Sequence, residues 1–333
     1  VEPGFVQHGS ELAIAEMLQS GTTTFSDMYF FPEVVAGAAE AAGMRAQITF
    51  PVLEFASAWA EDAEQYLSKG LALLDTQRHS DLLTVGFGPH APYTVSDATF
   101  ERIAVLAAEV DAPIQVHLQE TAAELAQSSA EHGCSPVQRL QRLGILGPRA
   151  QAVHLAHFDE NDLELLVESG TSAVHCPASN AKLSSGYSQV SQLMAAGLPV
   201  GLGTDSAASN NTLDLFDTAR LAALMAKQQG DASSLTAWQS LHMATCGGAR
   251  ALGMADKIGS LEAGKCADFI AVDTNSVSMQ PLYEPASQLI YTGAGKAVTH
   301  SRVGGRCLLR ERRLQSINSN ALLEATASWR DRI

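Results

Sequence analysis

The chain has 333 residues, of which 46% are hydrophobic and 17% are charged, a composition typical of one large globular domain with a smaller one. Its net charge of −15 argues against a nucleic-acid backbone or an anionic membrane surface as partner, because both repel an acidic protein. Five widely spaced cysteines without a Cys-x-x-Cys pair indicate a reducing compartment, the cytoplasm, and exclude a disulfide scaffold. No apolar run is long enough to cross a membrane.

Apolar, β-branched runs alternate with helical patterns along most of the chain. Strands are predicted over residues 22–28, 45–52, 82–87, 113–118, 151–155, 171–175 and 199–203. Helices are predicted over residues 9–19, 32–42, 59–74, 97–110, 121–132, 160–169, 188–196, 212–227 and 234–251. This alternation predicts a parallel sheet with helical crossovers, either an open doubly wound sheet or a barrel. No Gly-x-Gly-x-x-Gly turn opens a helix, which disfavours a dinucleotide-binding fold.

The pattern changes after Gly253. Turn signals are followed by a strand that ends near Asp273, and residues 298–308 predict a hairpin that turns at Gly304-Gly305. We therefore divide the chain into a catalytic barrel (residues 1–255), a small β-sandwich portion (256–315) and a C-terminal tail helix (316–333).

Polar side chains close consecutive predicted strands at His90, His117, His154, His175 and Asp205. One histidine at a strand end is more often structural than catalytic. Five such groups would converge on one rim of a barrel, where barrels carry their chemistry. Imidazole and carboxylate groups suit zinc or iron(II) with room for a water. A nucleophile is less well supported, because Cys176 faces away from its strand neighbour and Ser206 lacks a Gly-x-Ser-x-Gly elbow.

Over essentially its whole length the sequence resembles the amidohydrolase superfamily, in the branch of 5-methylthioadenosine/S-adenosylhomocysteine deaminases and related chlorohydrolases. The segments that carry the resemblance are 11–18 (ELAIAEML), 21–29 (GTTTFSDMY), 88–94 (GPHAPYT), 117–121 (HLQET), 154–157 (HLAH), 175–183 (HCPASNAKL), 203–211 (GTDSAASNN) and 258–268 (IGSLEAGKCAD). The resemblance implies an α/β fold, a TIM-type (β/α)8 metal-dependent hydrolase barrel, with a small C-terminal β-sandwich portion.

The resemblance also assigns roles. His117 and Asp205 would be metal ligands, and Asp205 would accept a proton from the attacking water. Glu120 would contact the substrate and act as the acid/base that protonates the ring nitrogen and then the leaving amine. His154 would orient or polarise the water and steady the tetrahedral intermediate, and His90 would contact the substrate, at its sugar. The cofactor would be one divalent metal ion, for which zinc is the preferred identity and iron the alternative.

The implied reaction is metal-dependent hydrolytic deamination of an adenine nucleoside thioether, 5-methylthioadenosine or S-adenosylhomocysteine, with release of ammonia. Deamination of guanine or another base and amino- or chlorohydrolysis of an s-triazine are alternatives, as is an inactive or non-catalytic barrel. The partner would be a purine nucleoside or related heterocycle, and the resemblance suggests a homo-oligomer. For His175 two interpretations are equally supported: it contacts the residues of the site, or it is a structural histidine packed at a strand end. His157 is expected to be a surface or capping residue.

One departure from the superfamily pattern concerns the metal. Its first strand ends in a His-x-His pair that supplies two further ligands, and this sequence contains no His-x-His. Only seven barrel strands are predicted, so we expect the first strand to be the missing one. We therefore expect that roughly 80–100 residues of the parent protein precede this sequence, one strand and half a small sandwich. We also expect this chain alone to be metal-poor and inactive.

Overall fold

The computed structural model describes residues 1–330 and 332, and residues 331 and 333 of the predicted tail lie outside them. Seven strands form one parallel sheet in sequence order: β1 Thr24–Asp27, β2 Arg45–Val52, β3 Leu83–Pro89, β4 Ile114–Leu118, β5 Ala150–His154, β6 Ser172–His175 and β7 Val200–Leu202. All seven predicted strands are confirmed, with ends that move by at most two residues.

Helices connect these strands and cover the sheet. They are α1 Pro3–Ser20, α2 Pro32–Ala42, α3 Ala63–Gln77, α4 Asp97–Val110, α5 Ala122–His132, α6 Pro136–Arg142, α7 Glu160–Ser169, α8 Pro177–Lys182, α9 Val190–Ala195, α10 Ala207–Asn210, α11 Leu215–Gln229, α12 Ala237–His242, α13 Gly248–Ala251, α14 Pro285–Tyr291 and α15 Ser319–Arg330. A π-helical turn, Met243–Gly247, joins α12 to α13, where the sequence predicts one continuous helix. None of the helices in the described chain is long and apolar enough to cross a membrane.

The sheet is curved, so that its two edge strands, β1 and β7, border the same cavity. Residues of β1 and of β7 together line a cavity of about 540 Å³, yet the two strands do not pair with each other in the described chain. The seven-stranded partial barrel agrees with the predicted α/β barrel, and the described residues contain no eighth barrel strand.

The concave side of the sheet carries a polar layer whose glutamines, Gln47, Gln115 and Gln151, are buried. The Ser26 hydroxyl donates to Gln115 Oε1 at 2.6 Å, and the Gln47 amide donates to Gln151 Oε1 at 3.0 Å. These side chains come from β1, β2, β4 and β5, and their mutual hydrogen bonds offset part of the cost of burying amides. Large apolar side chains such as Phe50 lie on the opposite side of the sheet, where they pack against the helices.

A small antiparallel sheet follows the barrel, with strand order β11-β10-β9-β8. Its strands are β8 Phe269–Val272, β9 Val298–Val303, β10 Arg306–Arg310 and β11 Arg313–Leu314. The predicted hairpin is confirmed: Gly304 and Gly305 connect β9 to β10 with φ of 55° and 78°, which is the conformation that glycine provides without strain. Because α14 also lies between residues 256 and 315 and packs on α11 and α12, this stretch is not purely β.

A buried ion pair ties the small sheet to the barrel. Arg45, at the start of β2, donates through Nε to Asp268 Oδ2 at 2.8 Å, and only 6% and 3% of the two side chains are exposed. The Asp268 carboxylate also accepts the Gly304 N–H at 2.6 Å.

We expect Asp268→Asn to lower the free energy of unfolding by about 3–5 kcal/mol, because it leaves the Arg45 guanidinium buried without a counter-charge. Urea denaturation monitored by circular dichroism measures this change. Glu64→Gln is the matched control, since it breaks an exposed pair with Arg102 and should change stability little. Equal effects of the two substitutions would contradict the structural role of the buried pair.

Candidate active site

All five residues to which the sequence assigned roles line one cavity of about 340 Å³ at the carboxyl ends of the strands: His90, His117, Glu120, His154 and Asp205. They come from the ends of β3, β4, β5 and β7, so parallel strand polarity brings them together. Their individual roles remain predictions.

His117 is held by the backbone of the neighbouring strand end. Its Nδ1 lies 2.8 Å from the His90 carbonyl oxygen, which can only accept, so Nδ1 carries the proton and the Nε2 lone pair is free. Burial, with the nearby His154 and His90, lowers the pKa of His117 to about 4. His117 is therefore neutral at pH 7, as a metal ligand must be.

The His90 ring is oriented by Thr94, whose hydroxyl lies 3.1 Å from His90 Nδ1. Burial lowers the pKa of His90 despite the opposing charge of Glu120. Tyr93 meets the His90 ring edge-on and lines the same cavity. A neutral imidazole beside an aromatic ring can hydrogen-bond a hydroxyl group of a ligand without adding charge.

Asp205 is an ionised carboxylate. Burial acts to raise its pKa, but hydrogen bonds from the Ser179 hydroxyl (2.5 Å), the Ser209 hydroxyl (2.8 Å) and the Ser206 N–H (2.7 Å) prevail and the pKa is lowered. Its φ of 57° is in the left-handed region, which an aspartate tolerates better than most residues. The anion is thus held ready to bind a cation or accept a proton.

Glu120 and His154 face each other. Glu120 Oε2 lies 3.8 Å from His154 Nε2, and Glu120 Oε1 accepts the Ser185 hydroxyl at 2.9 Å. On the other side of the ring, His154 Nδ1 lies 2.9 Å from Asn180 Oδ1. His154 is 2% exposed and has a φ of 79°, so strained backbone is retained at the point where the side chain enters the cavity.

Glu124 braces the backbone beneath Glu120. Its carboxylate oxygens accept the N–H groups of Gln119 and Glu120, each at 2.9 Å. Burial raises the pKa of Glu124 to about 7, although these N–H groups act to lower it. We did not identify Glu124 from the sequence, and its position in the first turn of α5, four residues after Glu120, was the available signal.

Two histidines considered in the sequence analysis, His175 and His157, do not line this cavity. His175 ends β6, is 2% exposed, and neither ring nitrogen has a hydrogen-bond partner in the described chain. Burial lowers its pKa to about 4, so it is neutral. His157, expected to be a surface or capping residue, is partly buried and not a surface residue, and its Nε2 lies 2.7 Å from the Ser185 carbonyl oxygen.

Comparison with known proteins identifies the family. The model of the amidohydrolase family matches residues 1–308. The chain belongs to the amidohydrolase family.

Individual amidohydrolase relatives are similar along most of their length. The chain is 48% identical over 336 residues to a protein named 5-methylthioadenosine/S-adenosylhomocysteine deaminase from Saccharophagus degradans, covering 100% of this chain and 75% of the relative. A solved zinc-bound adenosine deaminase from Xanthomonas campestris superposes with a TM-score of 0.98 at 43% identity, covering 100% of this chain and 76% of that one. A zinc-bound atrazine chlorohydrolase from Arthrobacter aurescens, at 24% identity and a TM-score of 0.91 over 98% of this chain and 77% of its own, shares the fold.

Family membership and the zinc-bound neighbour support a divalent metal ion as the cofactor. His117 and Asp205 fit it, because one offers an unprotonated Nε2 and the other an ionised carboxylate in the same cavity. Within residues 1–330 and 332, however, no group of three or more histidine, cysteine or acidic side chains is placed to hold a metal.

We expect the 333-residue chain to retain much less than one metal ion after dialysis, because two protein ligands bind a divalent ion weakly. Elemental mass spectrometry of the dialysed protein measures the stoichiometry, and His117→Ala should lower what little remains. His79→Ala, at a histidine outside the cavity, is the control. About one tightly held ion per chain would contradict this expectation and would direct attention to His90 and His175 as further ligands.

Proposed function

We propose that the protein is a metal-dependent aminohydrolase that deaminates an adenine nucleoside thioether, 5-methylthioadenosine or S-adenosylhomocysteine, and releases ammonia. The observation that carries the proposal is the Glu120 carboxylate, placed 3.8 Å from His154 Nε2 on a cavity also lined by His117 and Asp205. A carboxylate at this place can pass protons to a heterocycle whose amine must leave as ammonia. The 48% identical relative bears the name of this activity.

In the proposed reaction water adds to the ring carbon that bears the amine, and that carbon–nitrogen bond then breaks. Asp205 takes the first proton from the attacking water and the second from the added hydroxyl as it becomes the carbonyl. Glu120 passes the first of these protons to the ring nitrogen and the second to the leaving amine. His154 orients the attacking water, whose O–H it accepts through the Nε2 lone pair. The products are ammonia and the corresponding hypoxanthine nucleoside thioether, so atoms and protons balance.

His117 and Asp205 would hold the metal, for which we propose zinc because the solved neighbour at 43% identity contains it. A divalent ion bound there would lower the pKa of water, and it would in this way supply a nucleophile near neutral pH.

The rest of the cavity suits a nucleoside thioether. His90 would hydrogen-bond the ribose. Tyr93 and Leu183 line the cavity and are 51% and 54% exposed, so they offer apolar surface to the thioether or the base. The net charge of −15 does not favour nucleic acid as the substrate.

Cellular location and assembly belong to the same proposal. All five cysteines of the described chain are free, which supports the cytoplasm as the location. A homo-oligomer is proposed on the resemblance alone.

The test is a substrate panel on the protein expressed from its natural gene, so that any residues outside the 333 are retained. S-adenosylhomocysteine, 5-methylthioadenosine, adenosine, guanine and a chlorotriazine are compared for ammonia and chloride release, with zinc supplied. The highest kcat/KM for a thioether supports the proposal. Preference for guanine or the triazine would overturn it in favour of those alternatives, and no turnover of any compound would favour a non-catalytic barrel.

A further inference from the structure

One short stretch of chain contacts three of the proposed catalytic groups. Residues 179–185 span most of α8 and the turn after it, begin four residues after the end of β6, and are named here the positioning segment. Ser179 donates to Asp205 Oδ2 at 2.5 Å, Asn180 Oδ1 lies 2.9 Å from His154 Nδ1, and Ser185 donates to Glu120 Oε1 at 2.9 Å. The three partners come from the ends of three other strands.

The three contacting side chains are buried and their backbone is held. Ser179, Asn180 and Ser185 are 0%, 1% and 7% exposed. The Ser185 N–H donates to the Asn180 carbonyl at 3.0 Å, which closes the turn. Buried hydrogen bonds of this kind keep a side chain in one rotamer, so each contact constrains the direction of the group it holds.

Contacts beyond the positioning segment hold it against its neighbours. The Ser185 carbonyl lies 2.7 Å from His157 Nε2, and a Cβ at Gly186 would lie 2.4 Å from the same nitrogen, so only glycine permits this approach. Lys182 Nζ donates to the Ala208 carbonyl at 2.9 Å, which joins α8 to the helix that contains Ser209, another donor to Asp205.

We infer that residues 179–185 are the positioning element of the site, which holds Asp205, His154 and Glu120 in fixed mutual orientation through Ser179, Asn180 and Ser185. The part of the inference that concerns His154 is chemically specific. An amide oxygen can only accept, so Asn180 selects the tautomer of His154 with hydrogen on Nδ1 and leaves the Nε2 lone pair facing the cavity. The catalytic consequence rests on the proposed function, but the tautomer does not.

The tautomer is tested by nitrogen-15 NMR of the histidine side chains in the metal-free 333-residue chain, with the His154 signals assigned from their loss in His154→Gln. The wild-type chain should show His154 protonated on Nδ1. Asn180→Leu, which keeps the shape but removes the acceptor, should abolish this preference, while Asn180→Asp should keep it. Asn275→Leu, at an exposed asparagine, is the control. Protonation on Nε2 in the wild type, or an unchanged spectrum in Asn180→Leu, would overturn the inference.

The kinetic test uses the protein from its natural gene. Ser185→Ala and Asn180→Leu should each lower kcat by about 10- to 100-fold, the usual effect of removing a group that orients a catalytic residue, with KM changed less than about threefold. Ser185→Thr and Asn180→Asp should recover most of the rate, since they retain the hydroxyl and the acceptor. Ser68→Ala, at an exposed serine on α3 outside the positioning segment, should leave kcat unchanged.

Failure of the two proposals can be told apart. A wild-type protein that turns over no thioether would refute the proposed function, and the NMR experiment would still decide the tautomer. An active wild type whose kcat is unaffected by Ser185→Ala and Asn180→Leu would overturn the positioning role alone. A loss of rate that Ser185→Thr and Asn180→Asp do not restore would also overturn it, because general disturbance of the fold would then account for the effect.

Discussion

We expect Glu120→Gln to lower kcat for deamination by about 100- to 10,000-fold, the range over which a positioned acid/base contributes to a rate. Glutamine has the same shape as glutamate, and its amide oxygen can still accept the Ser185 hydroxyl that is 2.9 Å from Glu120 in the wild type. It cannot release and regain a proton. The ring nitrogen and the leaving amine would therefore lose their proton source while the fold persists.

The measurement is the rate of ammonia release at saturating thioether, together with the melting temperature. Glu109→Gln, at an exposed position on α4, is the matched control and should behave as the wild type. If Glu120→Gln kept more than about a tenth of the wild-type kcat, the proton would have to come from another group. Glu124 would be the first to examine, because its carboxylate accepts the Glu120 N–H at 2.9 Å.

Asp205→Asn should be equally severe, with kcat/KM reduced by at least about 1,000-fold, because one substitution removes a metal ligand and a proton acceptor. Asparagine tolerates the φ of 57° at this position, so the backbone should not change. The Ser179 and Ser209 hydroxyls would then donate to a neutral amide oxygen, which is a weaker acceptor than the carboxylate.

Metal content and kcat/KM of Asp205→Asn are measured on one preparation of the protein expressed from its natural gene, with Asp217→Asn on the exposed side of α11 as the control. Loss of both metal and activity is the expected result. Loss of activity with full metal retention would restrict Asp205 to proton transfer. Wild-type activity would remove Asp205 from the mechanism.

The seven strands and four of the site residues at their ends (His90, His117, His154 and Asp205) could be predicted because they depend on local sequence. The role of Glu120 was implied by the resemblance to the superfamily. An apolar, β-branched run of five residues that ends in His117 predicts a buried strand and its polar end without any knowledge of distant residues. The short helices were harder: α8 and α10 have six and four residues, too few to show a helical period. The continuous helix expected over residues 234–251 contains a π-helical turn, which periodicity does not reveal.

The sequence by itself thus determined the alternation of strands and helices and which residues stand at the carboxyl ends of the strands, because the hydrophobic period is a property of neighbouring residues. Only the tertiary structure decided which of those residues face the cavity. It separates His175, buried without a partner in the described chain, from His154, which meets a carboxylate. It also decided the tautomer of His117 and the bond from Ser185 to Glu120, which are 65 residues apart, because protonation and orientation depend on groups that the fold brings together.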